Sequence, residues 1–222
     1  MLETTKLINK AYFDDEFHLI IIYGPLRYGK SSLACQILSE VYKTWDVDVL
    51  KQYIGFHPKN VLKKWADLRG EKRKAFLWDD AGLWLHALDW QSPFVKATGK
   101  YLNVAGTDWA GLILTTPAPT WVSKKIRGVP QAITLKVRKV TGDPAYTHLR
   151  QAVAYRFWLA PDLKHTGVFK LYIENYGKYM PNKFYEWYKP YRDRFALEAK
   201  QLMSKELKEV EDKEIISAAY TI

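Results

Sequence analysis

Short apolar runs alternate with longer amphipathic stretches between His18 and Lys139. Apolar runs bounded by turn residues predict buried strands, and apolar positions spaced three and four apart predict helices. The predicted strands are His18–Tyr23, Val47–Ile54, Ala75–Asp79, Leu112–Thr116 and Ala132–Lys139. The predicted helices are Lys30–Lys43, Pro58–Leu68, one or two short pieces between Gly82 and Leu102, and Pro119–Ile126. Strands that alternate with helices predict an α/β fold, with a mainly parallel sheet as the middle of three layers.

The pattern changes after Val140. The segments Thr147–Leu159 and Gly167–Asn175 predict paired strands, because Pro161, Asp162 and Gly167 supply turn chemistry near their junction. From Asn182 onward a long helix is predicted, with apolar residues three and four apart at Phe195, Ala199, Met203, Leu207 and Val210. We therefore predict a core over residues 1–140 and, over residues 141–222, an appended hairpin and a C-terminal helix packed on that core.

Composition narrows the class of protein. The 222 residues are 48% hydrophobic and 26% charged, which is typical of a folded globular chain. The longest strongly apolar run, Leu19–Tyr23, is far shorter than the roughly 20 residues that span a bilayer, and the first residues lack the layout of a signal peptide. We therefore expect a cytoplasmic protein without a membrane partner. The single cysteine, Cys35, lies in an apolar helical stretch, so we expect a buried structural thiol.

A phosphate-binding loop follows the first predicted strand. Residues Gly24, Pro25, Leu26, Arg27, Tyr28, Gly29, Lys30 and Ser31 match the pattern G-x-x-x-x-G-K-[ST], and a helical pattern follows them. Gly24 and Gly29 allow a tight turn that directs main-chain N–H groups at a phosphate, next to the positive end of the helix. Lys30 is predicted to contact the β- and γ-phosphates, Ser31 to bind Mg²⁺, and Ser32 to complete the cradle. The sequence thus predicts a P-loop NTPase core, for which we expect ATP and Mg²⁺, although the motif alone does not separate ATPase, GTPase and kinase.

Two carboxylates end the predicted strand Ala75–Asp79. A buried strand of this kind can deliver Asp79 to the metal ion, while Asp80 orients or deprotonates the attacking water. An alternative is that Asp80 caps a following helix, since aspartate is common at that position. Both roles are compatible. Many ATPases have glutamate at the position of Asp80, and the aspartate side chain is one methylene shorter, which favours slower hydrolysis or a different position of the water.

On these motifs the chain resembles the additional-strand class of P-loop ATPases. It is most similar to the AAA+ branch of DnaA- and IstB-type initiators and helicase loaders, over residues 17–139. The resemblance implies a polar sensor residue at the end of Leu112–Thr116, either Thr115 or Thr116, with Thr116 preferred. It also implies an arginine finger at Arg127, at the end of Trp121–Arg127, that completes the site of a neighbouring subunit in a homo-oligomer.

Membership of other branches, and other roles for the threonines and Arg127, are alternatives. No helical lid with a second sensor arginine follows Lys139, so RecA-like and FtsK- or HerA-like packaging motors remain alternatives. A plain buried strand explains Thr115 and Thr116 equally well, and a solvated basic helix explains Arg127. The size and composition also resemble those of ATPases of archaeal mobile elements.

The whole chain has a net charge of +10, and the positive charge is concentrated in residues 121–183. This segment contains 12 lysines and arginines but only 3 acidic residues. Cations can neutralise phosphates while aromatic rings stack on bases, which favours DNA as the partner. The alternative is that the aromatic residues face the core and the cations face solvent. The interleaved residues are Lys136, Arg138, Lys139, Arg150, Arg156, Lys164, Lys170 and Lys178 with Tyr146, Tyr155, Phe157, Trp158, Tyr172 and Tyr176.

Three functions are therefore considered. The first is an oligomeric Mg-dependent ATPase that acts on DNA in replication initiation, helicase loading or packaging. The second is a small-molecule kinase, whose size and phosphate loop would fit but which leaves the charge unexplained. The third is a non-catalytic, nucleotide-switched DNA-binding protein, which the aspartate at position 80 and the missing lid would suit.

Overall fold

A seven-stranded, mostly parallel sheet forms the centre of the fold in a computed structural model that describes residues 1–67, 70–130, 132–140, 147–159, 164 and 166–219. The strands are β1 His18–Tyr23, β2 Ile54–Gly55, β3 Arg73–Trp78, β4 Trp109–Thr116, β5 Ala132–Lys139, β6 Leu149–Leu159 and β7 Thr166–Gly177. Their spatial order is β2-β3-β4-β1-β5-β6-β7. The first five in this order are parallel, and β6 and β7 are antiparallel to their neighbours. The α/β prediction is therefore confirmed.

Helices cover both faces of this sheet. They are α1 Glu3–Phe13, α2 Lys30–Tyr42, α3 Val47–Leu50, α4 Pro58–Ala66, α5 Ala81–Trp84, α6 Pro93–Tyr101 and α7 Lys124–Arg127. Because side chains alternate along a strand, β1 directs Leu19 and Ile21 into one layer, with the buried residues of α4, α6 and α7. The helices α1 and α2 cover the other face, where Ile8 of α1 lies against Gly111 of β4.

The strands β1 and β5 have the bounds predicted from the sequence, but Val47–Ile54 is wrong as a strand. Asp46 caps α3 by accepting a hydrogen bond from the Asp48 amide at 2.7 Å, so the alternating residues after it coil instead of extending. A 3-10 turn at Lys51–Tyr53 then leads into the two-residue strand β2. Pro119–Ile126 likewise divides into a 3-10 turn, Pro119–Trp121, and α7.

Helix α1 was not predicted, because its buried face carries polar residues. Thr4, Thr5, Ile8 and Ala11 are buried, and only two of these are apolar. Glu174 of β7 accepts hydrogen bonds from the Thr4 amide at 3.0 Å and the Thr4 hydroxyl at 2.7 Å. A carboxylate from a distant strand therefore satisfies the first turn of this helix.

The predicted hairpin is formed by β6 and β7, and it continues the main sheet through pairing of β6 with β5. By its internal contacts the described chain separates into two compact units, Met1–Pro181 and Asn182–Ile222. The predicted division at residue 140 stays a prediction. The turn residues Pro161 and Asp162 lie outside the described residues, so their predicted role is untested.

The second unit contains one helix, α8 Asn182–Ala219, with Pro190 inside it. Aromatic rings spaced four apart line one side, with centroid distances of 5.3 Å for Trp187 to Tyr191 and 5.2 Å for Tyr191 to Phe195. The side chains of Met203, Leu207 and Val210 lie outside the described residues. Among the described helices, none is long and apolar enough to cross a membrane.

Candidate nucleotide-binding site

The loop that joins β1 to α2 has the backbone that its glycines permit. Gly24 has φ of 150° and Gly29 has φ of 90°, both in the region that favours glycine. A side chain at Gly24 would place its Cβ 2.9 Å from the Val137 carbonyl oxygen of β5, so the loop lies tightly against that strand. Arg27 also has a positive φ, of 63°, while Pro25, Leu26 and Arg27 are exposed. The loop is therefore a strained turn whose outer side is open to solvent.

Lys30 lies inside this loop and is only 7% exposed. Its ammonium donates hydrogen bonds to the carbonyl oxygens of Gly24 at 2.9 Å and Pro25 at 3.0 Å. A buried ammonium needs such partners, because burial without them is costly. The predicted phosphate-binding lysine is thus held by two carbonyl groups of the loop.

Ser31 and Asp79 meet across the face of the sheet that α2 covers. The Ser31 hydroxyl donates to Asp79 Oδ1 at 3.0 Å, and the Thr115 hydroxyl donates to the same oxygen at 2.5 Å. Asp79 is completely buried, and its own amide donates to the Gly55 carbonyl at 2.9 Å. Parallel strands β3 and β4 end at the same edge of the sheet, which explains why these oxygens converge beside the loop. The two residues predicted to bind a metal ion are therefore in contact.

Asp80 follows in the left-handed conformation, with φ of 51°. Its amide donates to Thr115 Oγ1 at 2.7 Å, so one hydroxyl holds both Asp79 and Asp80. Asp80 occupies the N-cap position of α5, but its side chain makes no capping hydrogen bond to that helix. The helix-cap alternative is therefore not what the geometry shows, and the carboxylate is partly exposed beside the loop.

The two threonines that end β4 point to opposite faces. Thr115 faces Asp79, whereas Thr116 faces α5, where a Cβ at Gly82 would lie 2.3 Å from Thr116 Oγ1. The Thr116 hydroxyl donates to the Ala118 carbonyl at 3.0 Å. Because side chains alternate along a strand, only one of the two can reach the acidic pair. The structure therefore brings Thr115, and not Thr116, to the acidic pair, while a sensor role stays a prediction.

Arg127 lies apart from this cluster. It ends α7, just before β5 begins, and the residues that follow it lie at the amino edge of the sheet, opposite the phosphate-binding loop. Gly128 and Val129 line a cleft of about 870 Å³ there, together with Phe17 and His18 at the start of β1. Arg127 is partly buried, and within the described residues its Nε atom has no hydrogen-bond partner. The structure thus does not bring Arg127 to the loop of its own chain.

The end of β7 contacts the loop, which the sequence did not indicate. The Ser32 hydroxyl donates to the Lys178 carbonyl at 2.5 Å, and the Tyr176 hydroxyl donates to the Gly29 carbonyl at 3.2 Å. The Lys139 ammonium lies 5.1 Å from the centre of the Tyr28 ring. No local motif marks these residues, because strand pairing brings them to the loop from more than 100 positions away. The Ser32 side chain, predicted to complete the cradle, is thus engaged by the main chain.

The basic segment is divided by the sheet. Lys136, Arg138 and Lys170 are exposed on one face, with Tyr155 and Phe157, while Tyr172 and Tyr176 lie on the face toward α1 and α2. Arg150 is only 4% exposed and donates to the carbonyls of Thr147 and Leu149, so it is structural. Tyr146 lies outside the described residues. The alternative, in which aromatic residues of this segment face the core, therefore applies to Tyr172 and Tyr176, while DNA as the partner stays a prediction.

Cys35 of α2 is buried behind the site, as predicted. Burial, and secondarily the charge of Asp79, raises the pKa of its thiol well above the usual value. The thiol therefore stays protonated at neutral pH, which agrees with a structural role.

Comparisons with known proteins give distant similarities. No protein-family model matches the chain. An uncharacterised protein, B-251, of Sulfolobus spindle-shape virus 1 is 28% identical over a matched length of 133 residues. The match covers 55% of this chain, and the chain spans only 52% of that relative. The genome packaging NTPase B204 of Sulfolobus turreted icosahedral virus 2, solved with ATPγS, is similar over 70% of this chain and 97% of its own, at 12% identity and a TM-score of 0.36. A likeness this low carries no inference about activity.

Proposed function

We propose that the protein is a magnesium-dependent ATPase. The observation that carries this proposal is the contact between the Ser31 hydroxyl and the Asp79 carboxylate, 3.0 Å apart, beside a loop that buries Lys30. Hydroxyl and carboxylate oxygens are the ligands that Mg²⁺ prefers, so this donor set fits the ion. Ser31 and Asp79 would hold it, and when bound it supplies positive charge to the phosphate oxygens.

The loop would bind the triphosphate through main-chain N–H groups and the Lys30 ammonium. Lys30 would exchange its two carbonyl partners for phosphate oxygens, so its charge is already positioned. Pro25 has no N–H group to donate to a phosphate, so it would contribute through the shape of the turn and through its carbonyl, which accepts from Lys30. The remaining predicted cradle residues, Gly24, Leu26, Arg27, Tyr28, Gly29 and Ser32, would contribute through their amides.

Asp80 is the candidate base. It would accept a proton from water as the water oxygen bonds to the γ-phosphorus and the bond from that phosphorus to the β-bridging oxygen breaks, which yields ADP and phosphate. Thr115 would position the Asp79 carboxylate and the main chain of Asp80 through its two hydrogen bonds. Groups held in place before the reaction need little reorganisation during it.

Two substitutions test this assignment. Lys30→Ala should abolish measurable Mg-ATP binding in calorimetry, while Lys6→Ala, an exposed lysine of α1, should bind like the parent. Asp80→Asn should retain binding but lose about 100-fold in kcat, since general base catalysis contributes 10²–10⁴. Tight binding by Lys30→Ala would refute the site. Binding without turnover in the parent would favour a nucleotide-switched protein, and phosphorylation of a nucleoside or nucleotide acceptor would favour a kinase.

We further propose that the ATPase acts on DNA, in replication initiation, helicase loading or packaging. One face of β5, β6 and β7 carries three exposed cations, Lys136, Arg138 and Lys170, together with Tyr155 and Phe157. Its described residues include no acidic side chain: Thr134, Lys136, Arg138, Gln151, Val153, Tyr155, Phe157, Val168, Lys170, Ile173 and Asn175. Cations of this kind bind phosphates, while aromatic rings stack on bases.

The salt dependence of DNA binding tests this surface. Alanine at Lys136, Arg138 and Lys170 should weaken binding of a single-stranded oligonucleotide and reduce the slope of log K against log salt by about 2, at roughly 0.7 per phosphate contact. A triple alanine variant at the exposed lysines 59, 63 and 96 removes the same charge elsewhere and should leave the slope unchanged. Equal losses in both variants would show that only net charge matters and would refute the surface.

We also propose that the protein works as a homo-oligomer in which Arg127 reaches a neighbour's nucleotide. Its position away from the loop of its own chain supports action on a second subunit. ATP turnover per subunit should then rise with protein concentration, and Arg127→Ala should remove that rise while Mg-ATP binding persists. Turnover per subunit that is independent of concentration would contradict the arrangement.

A further inference from the structure

The end of β7 forms one wall of the candidate nucleotide site. The Lys178 carbonyl accepts the Ser32 hydroxyl at 2.5 Å, and the Lys178 amide donates to the His148 carbonyl at 2.8 Å. Two residues earlier in the sequence, the Tyr176 hydroxyl donates to the Gly29 carbonyl at 3.2 Å. The main chain at Lys178 is therefore fixed against the loop and the first turn of α2.

The side chain of Lys178 is equally close to the loop. A Cβ built on Gly29 would lie 3.3 Å from Lys178 Cβ, so the two residues are in van der Waals contact. The Lys178 ammonium lies 4.8 Å from the centre of the Tyr179 ring. Among the described acidic residues, none forms a salt bridge with Lys178. The stem of a lysine that has no salt bridge among the described residues thus lies beside Gly29, the residue before α2.

The two serines at the start of α2 indicate which part of a nucleotide this cation faces. Ser31 points toward Asp79 of β3, whereas Ser32 points toward Lys178 at the end of β7, on the opposite side of β1 in the sheet. A metal ion held by Ser31 and Asp79 would draw the terminal phosphates to that side of the helix N-terminus. The rest of the nucleotide would then extend across the helix N-terminus, toward Lys178.

We propose that Lys178 is a second nucleotide-binding cation, whose ammonium contacts the α-phosphate. The assignment rests on the proposed ATPase function and adds a residue that the phosphate-binding motif does not contain. The α-phosphate keeps its charge throughout hydrolysis, so this contact stabilises the bound substrate and the transition state equally. Loss of the contact therefore raises KM and leaves kcat unchanged.

ADP carries the same α-phosphate, so it provides a second measurement. Lys178→Ala should weaken Mg-ATP and Mg-ADP binding by the same factor, about tenfold or more, as expected for a hydrogen bond to a charged group. The main-chain contacts of Lys178 survive this change, so the thermal midpoint should match that of the parent. Lys178→Gln keeps most of the stem and should show the same loss, whereas Lys178→Arg keeps the charge and should retain most of the affinity.

The experiment compares the parent with Lys178→Ala, Lys178→Gln, Lys178→Arg and the control Lys59→Ala by calorimetry with Mg-ATP and Mg-ADP, and by steady-state kinetics. Parallel losses of both nucleotides with constant kcat support the proposal. Unchanged affinity in the alanine and glutamine variants overturns the role of Lys178, while loss of binding in Lys30→Ala alone leaves the proposed function standing. A fall in kcat at constant KM also overturns it, and a parent that binds no Mg-ATP overturns both proposals.

Discussion

Replacement of Thr115 by valine tests the geometry of the acidic pair directly. The side chain is completely buried, and its hydroxyl donates to Asp79 Oδ1 at 2.5 Å while accepting from the Asp80 amide at 2.7 Å. Valine has the same shape but can make neither bond. Loss of a bond to a charged group costs about 1.5–3 kcal/mol and loss of a neutral one about 0.5–1.5 kcal/mol, so Thr115→Val should destabilise the fold by about 2–4 kcal/mol.

In a chain of this length, that change lowers the thermal midpoint by roughly 5–15 °C. Turnover should fall as well, because the Asp80 amide loses the partner that holds its left-handed conformation. We expect a decrease of about ten- to hundredfold in kcat, the scale on which small displacements of a catalytic group act. Urea unfolding and steady-state ATP hydrolysis measure the two effects separately.

Two matched variants complete the test. Thr115→Ser keeps the hydroxyl and should recover most of the turnover. Thr116→Val removes a neighbouring buried hydroxyl that bonds only the Ala118 carbonyl, so it should cost about 1 kcal/mol and leave kcat unchanged. The reasoning is refuted if Thr115→Val unfolds like the parent, or if Thr116→Val reduces kcat as much as Thr115→Val does.

Three further predictions follow from other contacts. Gly82→Ala should destabilise the fold by about 1–3 kcal/mol in urea unfolding, because its Cβ would lie 2.3 Å from Thr116 Oγ1. The control Gly99→Ala should be neutral or stabilising, because its Cβ would lie 4.0 Å from the nearest atom, Lys125 Cβ. Equal effects of the two substitutions would contradict this prediction. Burial raises the pKa of Glu174 above its ordinary 4.5, so folding favours the protonated carboxyl. The protonated carboxyl therefore contributes to stability below pH 4.5, and this contribution is lost as pH rises through the pKa of Glu174 in the folded state. The parent should therefore lose stability relative to Glu174→Gln as pH rises above about 4.5, and a constant difference between the two would argue against this titration. Cys35 should react with a thiol reagent far more slowly in the native protein than in urea, since its thiol is buried and protonated, and similar rates would show that it is accessible.

Local sequence determined those parts of the site that one stretch of chain builds. The glycines, Lys30 and Ser31 of the loop follow from a motif whose spacing is set by the turn and by the helix after it, and the apolar run before Asp79 predicts the strand β3. The strands β1 and β5 also have the predicted bounds. β1 contains an uninterrupted buried apolar run, and β5 alternates apolar residues with polar ones, and both patterns are strong strand signals. Alternating residues after Asp46 misled the same reasoning, since a capping aspartate decides helix over strand there.

Only the tertiary structure decided which distant residues join the site. The choice between Thr115 and Thr116 depends on which face of β4 meets Asp79, and strand alternation gives that answer only once the neighbouring strands are known. The contact of Lys178 with Ser32 needs β6 and β7 to pair in register on β5, across more than 100 residues. A local pattern predicts whether a segment is a strand or a helix, but it does not predict which elements pack beside that segment. Strand pairing is specified by the packing of the whole sheet.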